Sequence, residues 1–228
     1  MTVSRTYGDM YNRIADELWG RTDLLANATN MATPPIQLAI QDAIKQWERE
    51  RWYFNEIRTT SAFATVAAQE FYTSSDSAFI GTLAHIDKMS ITVSGNRLYL
   101  EPRTIENMED ISMNPLNTGQ PIDYSYYAEA IRFYPIPDAA YNVNVMYTKR
   151  FAELVNSGDT NAWMSDGEEL IRLTAKMILY RDELRDVEGV ANMERAIWGA
   201  PGIPGAYTKL KAETARRVAT SRIKPTYF

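Results

Sequence analysis

The stretch TPPIQLAIQDAIKQWERERWYFNE, Thr33 to Glu56, decides how the chain is read, because both a helix and its end are written in it. Thr33 and Pro34 supply a cap and a first-turn proline, whose missing N–H would have had no partner there in any case. Ile36, Ile40, Ile44, Trp47 and Arg51 then recur every three or four residues, which puts them on one face of a helix. At Trp52, Tyr53 and Phe54 three aromatic side chains follow one another. A helix fans consecutive residues around its circumference, so one apolar stripe cannot take all three, and the chain is expected to leave the helix there inside the core.

Before this stretch, Thr6 and Asp9 have the spacing of a capping box, and Tyr7, Tyr11, Ile14 and Leu18 fall on one face of a helix expected to end near Gly20. After it the texture changes. From Ile57 to about Phe151, Thr, Val, Tyr and Ile dominate between turn residues. SITVSGNRLYL, Ser90 to Leu100, sets alternating Ile91 and Val93 against alternating Leu98 and Leu100 across a Gly95-Asn96 turn, which predicts a two-residue hairpin. IDYSYYAEAIRFYPIPD and YNVNVMYTKRF repeat the alternation, the second with Val143, Val145 and Tyr147 on one face. Pro135 and Pro137 mark an edge or a strand end, and TIENMEDI predicts a short helix begun by Thr104.

Helix returns at SDGEELIRLTAKMILYRDEL, where Ser165 and Glu168 have capping-box spacing and Leu170, Leu173, Met177, Tyr180 and Leu184 line a face. A further helix is expected from Val190 to Trp198, broken by the linker GAPGIPG, Gly199 to Gly205. The last helix, from about Tyr207 to Ala219, offers only Tyr207, Leu210 and Val218 to a core. This order predicts an α+β protein: a helical bundle built from N- and C-terminal helices, a central β-rich insertion and an extended C-terminal arm. The expected boundaries are 1–56 and 152–219 for the bundle, 57–151 for the insertion and 220–228 for the arm.

The 228 residues, 45% of them apolar, suffice for one large or two small cores. Net charge is -5 but unevenly placed: Tyr207 to Phe228 holds six Lys or Arg against Glu213 alone, leaving the first 206 residues at -10. An acidic body argues against broad adhesion to nucleic acid or anionic membrane, since both need a basic surface. There is no cysteine, which excludes disulfides and thiolate metal sites. The opening MTVSRTYGDMYNRIADELW has no apolar core of signal-peptide length and no uncharged run approaches a membrane span, so a soluble, non-secreted protein is expected. In that setting Asn27-Ala28-Thr29 matches a glycosylation acceptor by chance.

No catalytic, metal or cofactor constellation emerges. His85 is the single histidine, which leaves little for a histidine-rich metal site or a serine triad. Glu168 and Glu169 stand in the first turn of a helix, where carboxylates complement its dipole, and Glu106, Glu109 and Asp110 form a solvated helix face. GAPGIPG is no phosphate loop, because its prolines lack N–H donors and no Lys-Ser/Thr follows. Tyr124, Tyr126, Tyr127, Tyr134, Tyr141 and Tyr147 could stack bases, but only Arg132 and Lys149 accompany them, so core and subunit contact is the better reading.

Five strings in order carry a resemblance: AIKQWERERWYFNE (Ala43 to Glu56), GQPIDYSYY (Gly119 to Tyr127), IRFYPIPD (Ile131 to Asp138), DTNAWMSDGEELI (Asp159 to Ile171) and ETARRVATSRIKPTYF (Glu213 to Phe228). Together the sequence resembles, nearly end to end, the head-to-tail adaptor, or connector, proteins of tailed bacteriophages. It departs from them at NMERAIWGAPGIPGAYTKL, Asn192 to Leu210, which is longer and more broken than the family's usual run into the last helix. The resemblance implies a non-enzymatic ring, typically of twelve subunits, beneath the portal protein in the virion neck. Such a ring extends the DNA channel, which genomic DNA passes without sequence-specific binding, and offers a surface to the tail or nozzle. It also implies that the C-terminal segment docks in the portal.

On that basis Arg216 to Phe228 is expected to be a docking arm. Ile223, Tyr227 and Phe228 would be the apolar anchors, Pro225 would limit the cost of ordering, and Arg216, Arg217, Arg222 and Lys224 would pair with portal carboxylates. Acidic residues lining a channel would repel DNA phosphates and keep the duplex sliding. Three rival expectations stand beside this one. They are a stopper or tail-completion protein of the same neck, an adaptor with cell-wall hydrolase activity using Glu168, Glu169 or Glu106 as acids, and a nucleic-acid-binding module using the basic tail.

Overall fold

The computed structural model describes residues 5–26, 33–112 and 117–218. The chain is mixed α+β. It runs through α1 (Tyr7–Glu17) and α2 (Pro35–Trp47), then β1 (Glu56–Ala64), β2 (Phe71–Tyr72), β3 (Leu83–Val93), β4 (Asn96–Tyr99), β5 (Glu101–Pro102) and α3 (Ile105–Ile111). Next come β6 (Thr118–Gly119), β7 (Asp123–Tyr127), β8 (Ala130–Tyr134), β9 (Ile136–Pro137) and β10 (Asn142–Lys149). It closes with α4 (Ala162–Ser165), α5 (Glu168–Leu179), α6 (Val187–Trp198), β11 (Gly199–Ala200), β12 (Ile203–Pro204) and α7 (Ala206–Val218). Two compact units result, one from the two ends of the chain up to Phe54 and from Phe151, the other from Asn55–Arg150.

In the helical unit one apolar core draws on α1, α2, α5, α6 and α7. The box at Thr6 and Asp9 forms in both directions, with Asp9 N–H donating to Thr6 Oγ1 at 3.1 Å and Thr6 N–H to Asp9 Oδ2 at 2.9 Å. Tyr7, Ile14 and Leu18 are buried as the periodicity predicts, and α1 ends where Trp19 and Gly20 turn left-handed at φ 60° and 71°. In α2 the face of Ile36, Ile40, Ile44 and Trp47 is buried, but its start and end differ from expectation. Pro34 is the cap and Pro35 the first helical residue, without a side-chain cap from Thr33. The helix stops at Trp47, short of Arg51, because Trp52 folds back and its indole N–H donates to the Trp47 carbonyl at 2.9 Å, satisfying an end group that another turn would have used.

Ser165 and Glu168 do not form a capping box. Ser165 closes the single turn of α4 and Gly167 precedes α5 with no side-chain cap, while Glu168 is engaged by arginines. α6 starts three residues earlier than expected, because Asp186 caps it by accepting from the N–H groups of Glu188 and Gly189. GAPGIPG is a built hairpin rather than a linker, with Gly199 paired to Pro204 and Ala200 to Ile203 around Pro201-Gly202. Gly202 takes φ 81° at the turn. A Cβ on Gly205 would stand 2.3 Å from the Ile197 carbonyl oxygen, so only glycine lets the hairpin close on the end of α6.

The β unit is a two-sheet sandwich. The first sheet has the order β1-β10-β3-β4 and the second β2-β8-β7-β5. Met89, Ile91, Val143, Val145 and Tyr147 from the first and Tyr72, Tyr124, Ile131 and Phe133 from the second fill the space between them. The chain changes sheets at Leu100, a buried residue between β4 and β5. The β3-β4 hairpin turns one residue earlier than expected, on Ser94-Gly95, with φ of 49° and 80°. Both central residues therefore take the positive φ of a turn whose twist matches the right-handed twist of the strands. Leu98 stands opposite Ile91 and so shares the inward side, but on the edge strand β4 it stays 38% exposed. The strands that enter and leave the unit are partners, Glu56 opposite Thr148, and Lys149 N–H donates to the Asn55 carbonyl at 2.8 Å. Thr104 caps α3, accepting from Asn107 N–H at 3.4 Å.

Candidate functional site

The expected docking segment leaves from α7, so the seating of that helix decides what it can present. α7 has a thin apolar stripe, yet Ala206 and Thr214 are buried and Tyr207 and Leu210 pack on the core. Aromatic rings from elsewhere supply what the stripe lacks. The Tyr207 ring lies 5.3 Å from that of Trp47, 5.9 Å from Trp52 and 4.9 Å from Trp198, centroid to centroid. Tyr207 OH donates to Glu50 Oε2 at 3.1 Å, and burial together with that carboxylate pushes its pKa up. Lys211 pairs with the same oxygen at 2.5 Å and stands 4.2 Å over the Trp52 ring.

Nearly two turns further on, Arg217 lies 3.9 Å over the Tyr53 ring and its Nε donates to Glu213 Oε1 at 2.6 Å, while Arg216 pairs with the other oxygen of Glu213. Tyr53 OH in turn donates to Asp166 Oδ1 at 2.6 Å, and burial first, then that hydrogen bond, raises its pKa to about 12. A cleft of about 190 Å³ opens between these groups, with Asp166, Glu169, Lys209, Leu210 and Glu213 around it. The structure thus brings Arg216 and Arg217 together on Glu213. Arg222, Ile223, Lys224, Pro225, Tyr227 and Phe228 lie outside the described residues, as does the acceptor-like Asn27-Ala28-Thr29.

The carboxylates named as possible acids are otherwise occupied. Glu168 Oε1 accepts from Arg5 at 2.7 Å and from Arg13 and Arg172 at 3.0 Å each. Glu17 takes Arg13 at 3.0 Å and both Arg172 and Lys176 at 2.7 Å, so the two carboxylates and their cations lace α1 to α5. Burial pushes the Glu17 pKa up, but the hydrogen bond and charge of Lys176 and the charge of Arg172 outweigh it and hold the group below the usual carboxylate value. Glu169 lies 3.6 Å from Lys209. Glu106 belongs to the other unit, in the first turn of α3, where its own backbone N–H and the Thr104 hydroxyl hold its pKa down.

His85 is exposed on β3, its Nε2 4.0 Å from Asp87. Among the described residues no group of three His, Cys, Asp or Glu is placed to hold a metal ion, and no helix is long and apolar enough to cross a membrane. Of the tyrosines, Tyr124 and Tyr147 are buried in the sandwich and Tyr126 and Tyr141 pack against it, so they build the core and present no continuous stacking platform. What the site offers is a set of fixed aromatic and charged contacts around α7. Little in the local sequence marks them, since Tyr207 with Trp47 and Trp52, Lys211 with Glu50, and Arg217 with Tyr53 each join residues more than a hundred positions apart; the concentration of Trp and Tyr near Trp47 and Trp198 is the one available sign.

Comparison with protein families matches residues 5–219 to the model described as SU10 adaptor protein. No curated protein matches the chain.

Proposed function

The chain belongs to the SU10 adaptor protein family, and from that membership we propose that it is a structural, non-enzymatic head-to-tail adaptor of a tailed phage virion. It forms a ring of twelve subunits under the portal, extends the DNA channel and gives the tail or nozzle its attachment surface. The observation that carries this reading is the extent of the match: residues 5–219 run through both units, so the match takes in nearly the whole chain and not one unit alone. The helical unit is the bundle around the channel and the sandwich is the projecting insertion.

Within this reading, residues 216–228 dock in the portal. The seating of α7 supports that role, because the aromatic clamp on Tyr207 and the Arg217-Tyr53 contact fix the base from which the segment departs. A fixed base lowers the ordering cost of whatever binds beyond it. The test is the native mass of the purified protein alone and mixed with portal rings. Addition to the portal in stoichiometric number supports an adaptor; association with tail proteins alone moves the protein down the neck. Deletion of residues 221–228 is expected to leave the circular dichroism spectrum unchanged and to abolish portal binding. Undiminished binding by the shortened protein would refute the docking arm.

A further inference from the structure

Charge in the β unit is segregated. Asn55 to Arg150 contains eleven Asp or Glu and seven Lys or Arg. Two of the cations are neutralised on the second sheet, Arg103 by Asp123 at 3.0 Å and Arg132 by Glu70 and Glu109 at 2.6 Å each. Arg58, Lys88 and Arg97 are placed differently. All three are exposed on the outer face of the first sheet, around one shallow depression that no carboxylate lines. The register explains the grouping: Arg58 is opposite Met146 and Met146 opposite Lys88, while Arg97 is opposite Thr92, four residues and two side-chain repeats beyond Lys88 on the same face. Neighbouring strands are about 4.8 Å apart, so Arg58 and Lys88 are separated by about 10 Å. Lys88 also stands 4.1 Å over the ring of Tyr99, which is exposed. Like charges gathered on one sheet face repel, and among the described residues none of the three is in an ion pair.

The opposite side of the sandwich has the complementary character. Arg132 alternates with the core residues Ile131 and Phe133, so it faces outward from the second sheet, and there Glu109 of α3 and Ser112, the residue that ends it, grip it at 2.6 and 2.7 Å. With Met108 fully buried beneath it, α3 covers that outer face and turns Glu106 and Asp110, one helical turn apart, to solvent. Among the described residues neither is in an ion pair. Two sheets packed at about 10 Å and a helix laid on one of them keep the basic and acidic faces about 20 Å apart, too far to neutralise each other at physiological salt.

Faces of opposite sign on opposite sides of one rigid sandwich cannot satisfy each other within a subunit, but they can between subunits. Such a contact is heterologous, the class that closes into rings. We propose that the basic outer face of the first sheet, through Arg58, Lys88 and Arg97, receives the acidic α3 face, Glu106 and Asp110, of a second copy of this chain. The inference rests on the ring reading and names the contact that would hold the β units of neighbouring subunits together. A duplex nucleic acid is the poorer occupant, because seven cations against eleven carboxylates leave the unit acidic as a whole.

A charge swap in the full-length protein tests this. One variant carries Arg58→Glu, Lys88→Glu and Arg97→Glu, a second carries Glu106→Lys and Asp110→Lys, and a third carries all five. Self-association, read as native mass against concentration both alone and on portal rings, is expected to weaken at least tenfold in each of the first two and to recover in the third. All positions are exposed, so circular dichroism should be unchanged throughout. Assembly of the first two variants like the wild type, or no recovery in the third, overturns the inference while the adaptor reading stands. A wild-type protein that never associates, alone or on the portal, overturns both. Salt-sensitive duplex DNA binding that is lost in the first variant and not regained in the third assigns the face to nucleic acid and overturns the proposed contact.

Discussion

Replacing Thr174 with Val should expose how the helical unit is specified, because one buried hydroxyl joins two of its helices. Trp47 Nε1 donates to Thr174 Oγ1 at 2.9 Å, and that hydroxyl donates onward to the Leu170 carbonyl at 2.8 Å. Thr174 is fully buried and Trp47 3% exposed, so water cannot substitute. Thr174→Val keeps the shape and leaves the indole N–H without a partner, which costs about 1–3 kcal/mol. The gain from a more apolar side chain offsets part of this, and a net loss of about 1–2 kcal/mol is expected, roughly a tenfold change in the folding equilibrium. Urea unfolding followed by tryptophan fluorescence and circular dichroism reads the loss. In a Trp47→Phe background the donor is already gone, so the same Thr174→Val change should be nearly neutral, a coupling of about 1 kcal/mol. Thr174→Ser, which keeps the hydroxyl, should retain that coupling. An equal loss in both backgrounds would refute the reasoning and reassign the effect to packing.

Gly205→Ala places a methyl group 2.3 Å from the Ile197 carbonyl oxygen and 2.4 Å from the Gly199 nitrogen, both backbone atoms, so the hairpin must open. The expected loss is about 2 kcal/mol or more in urea stability, against about 1 kcal/mol for Gly95→Ala, where only the positive φ is at stake. Equal effects would show that the hairpin yields easily. Acidification tests the α1-α5 lacing. Because the Glu17 pKa is depressed in the folded chain, its contribution is present above the unfolded value of about 4.3 and is lost as pH falls through the folded one. Glu17→Gln should therefore be less stable than the wild type at pH 7, with the gap closing as acidification protonates Glu17 in the folded chain; a gap independent of pH would place the stabilisation elsewhere.

Where structure depends on neighbours in sequence, the sequence was legible. The capping box at Thr6, the buried faces of α1 and α2, the short helix after Thr104 and the inward set Val143, Val145 and Tyr147 follow from spacing alone. Misreadings arose where a distant group overrode a local signal. Glu168 has capping-box spacing from Ser165, but arginines from α1 and α5 compete for it. Trp52 shortens α2 by bonding back to Trp47, which no propensity records. GAPGIPG has linker composition, yet Gly199 and Gly205 serve close backbone packing and Gly202 the turn between them. The thin stripe of α7 understated its anchorage because the rings that hold it come from Trp47, Trp52 and Trp198. The basic sheet face was hidden for a similar reason: Arg58, Lys88 and Arg97 become neighbours only once strand register is known.

The paired strands at the entrance and exit of the sandwich make the β unit a cassette. With Asn55 and Lys149 joined by a backbone hydrogen bond of 2.8 Å, a host chain could accept the whole of 55–150 where it now has a tight turn, or this chain could surrender it and be closed by a few residues. Exchange of that kind would change the surface the β unit presents without redrawing the helical unit. It gives a modular protein a route by which one half can follow a changing partner while the other keeps faith with an old one.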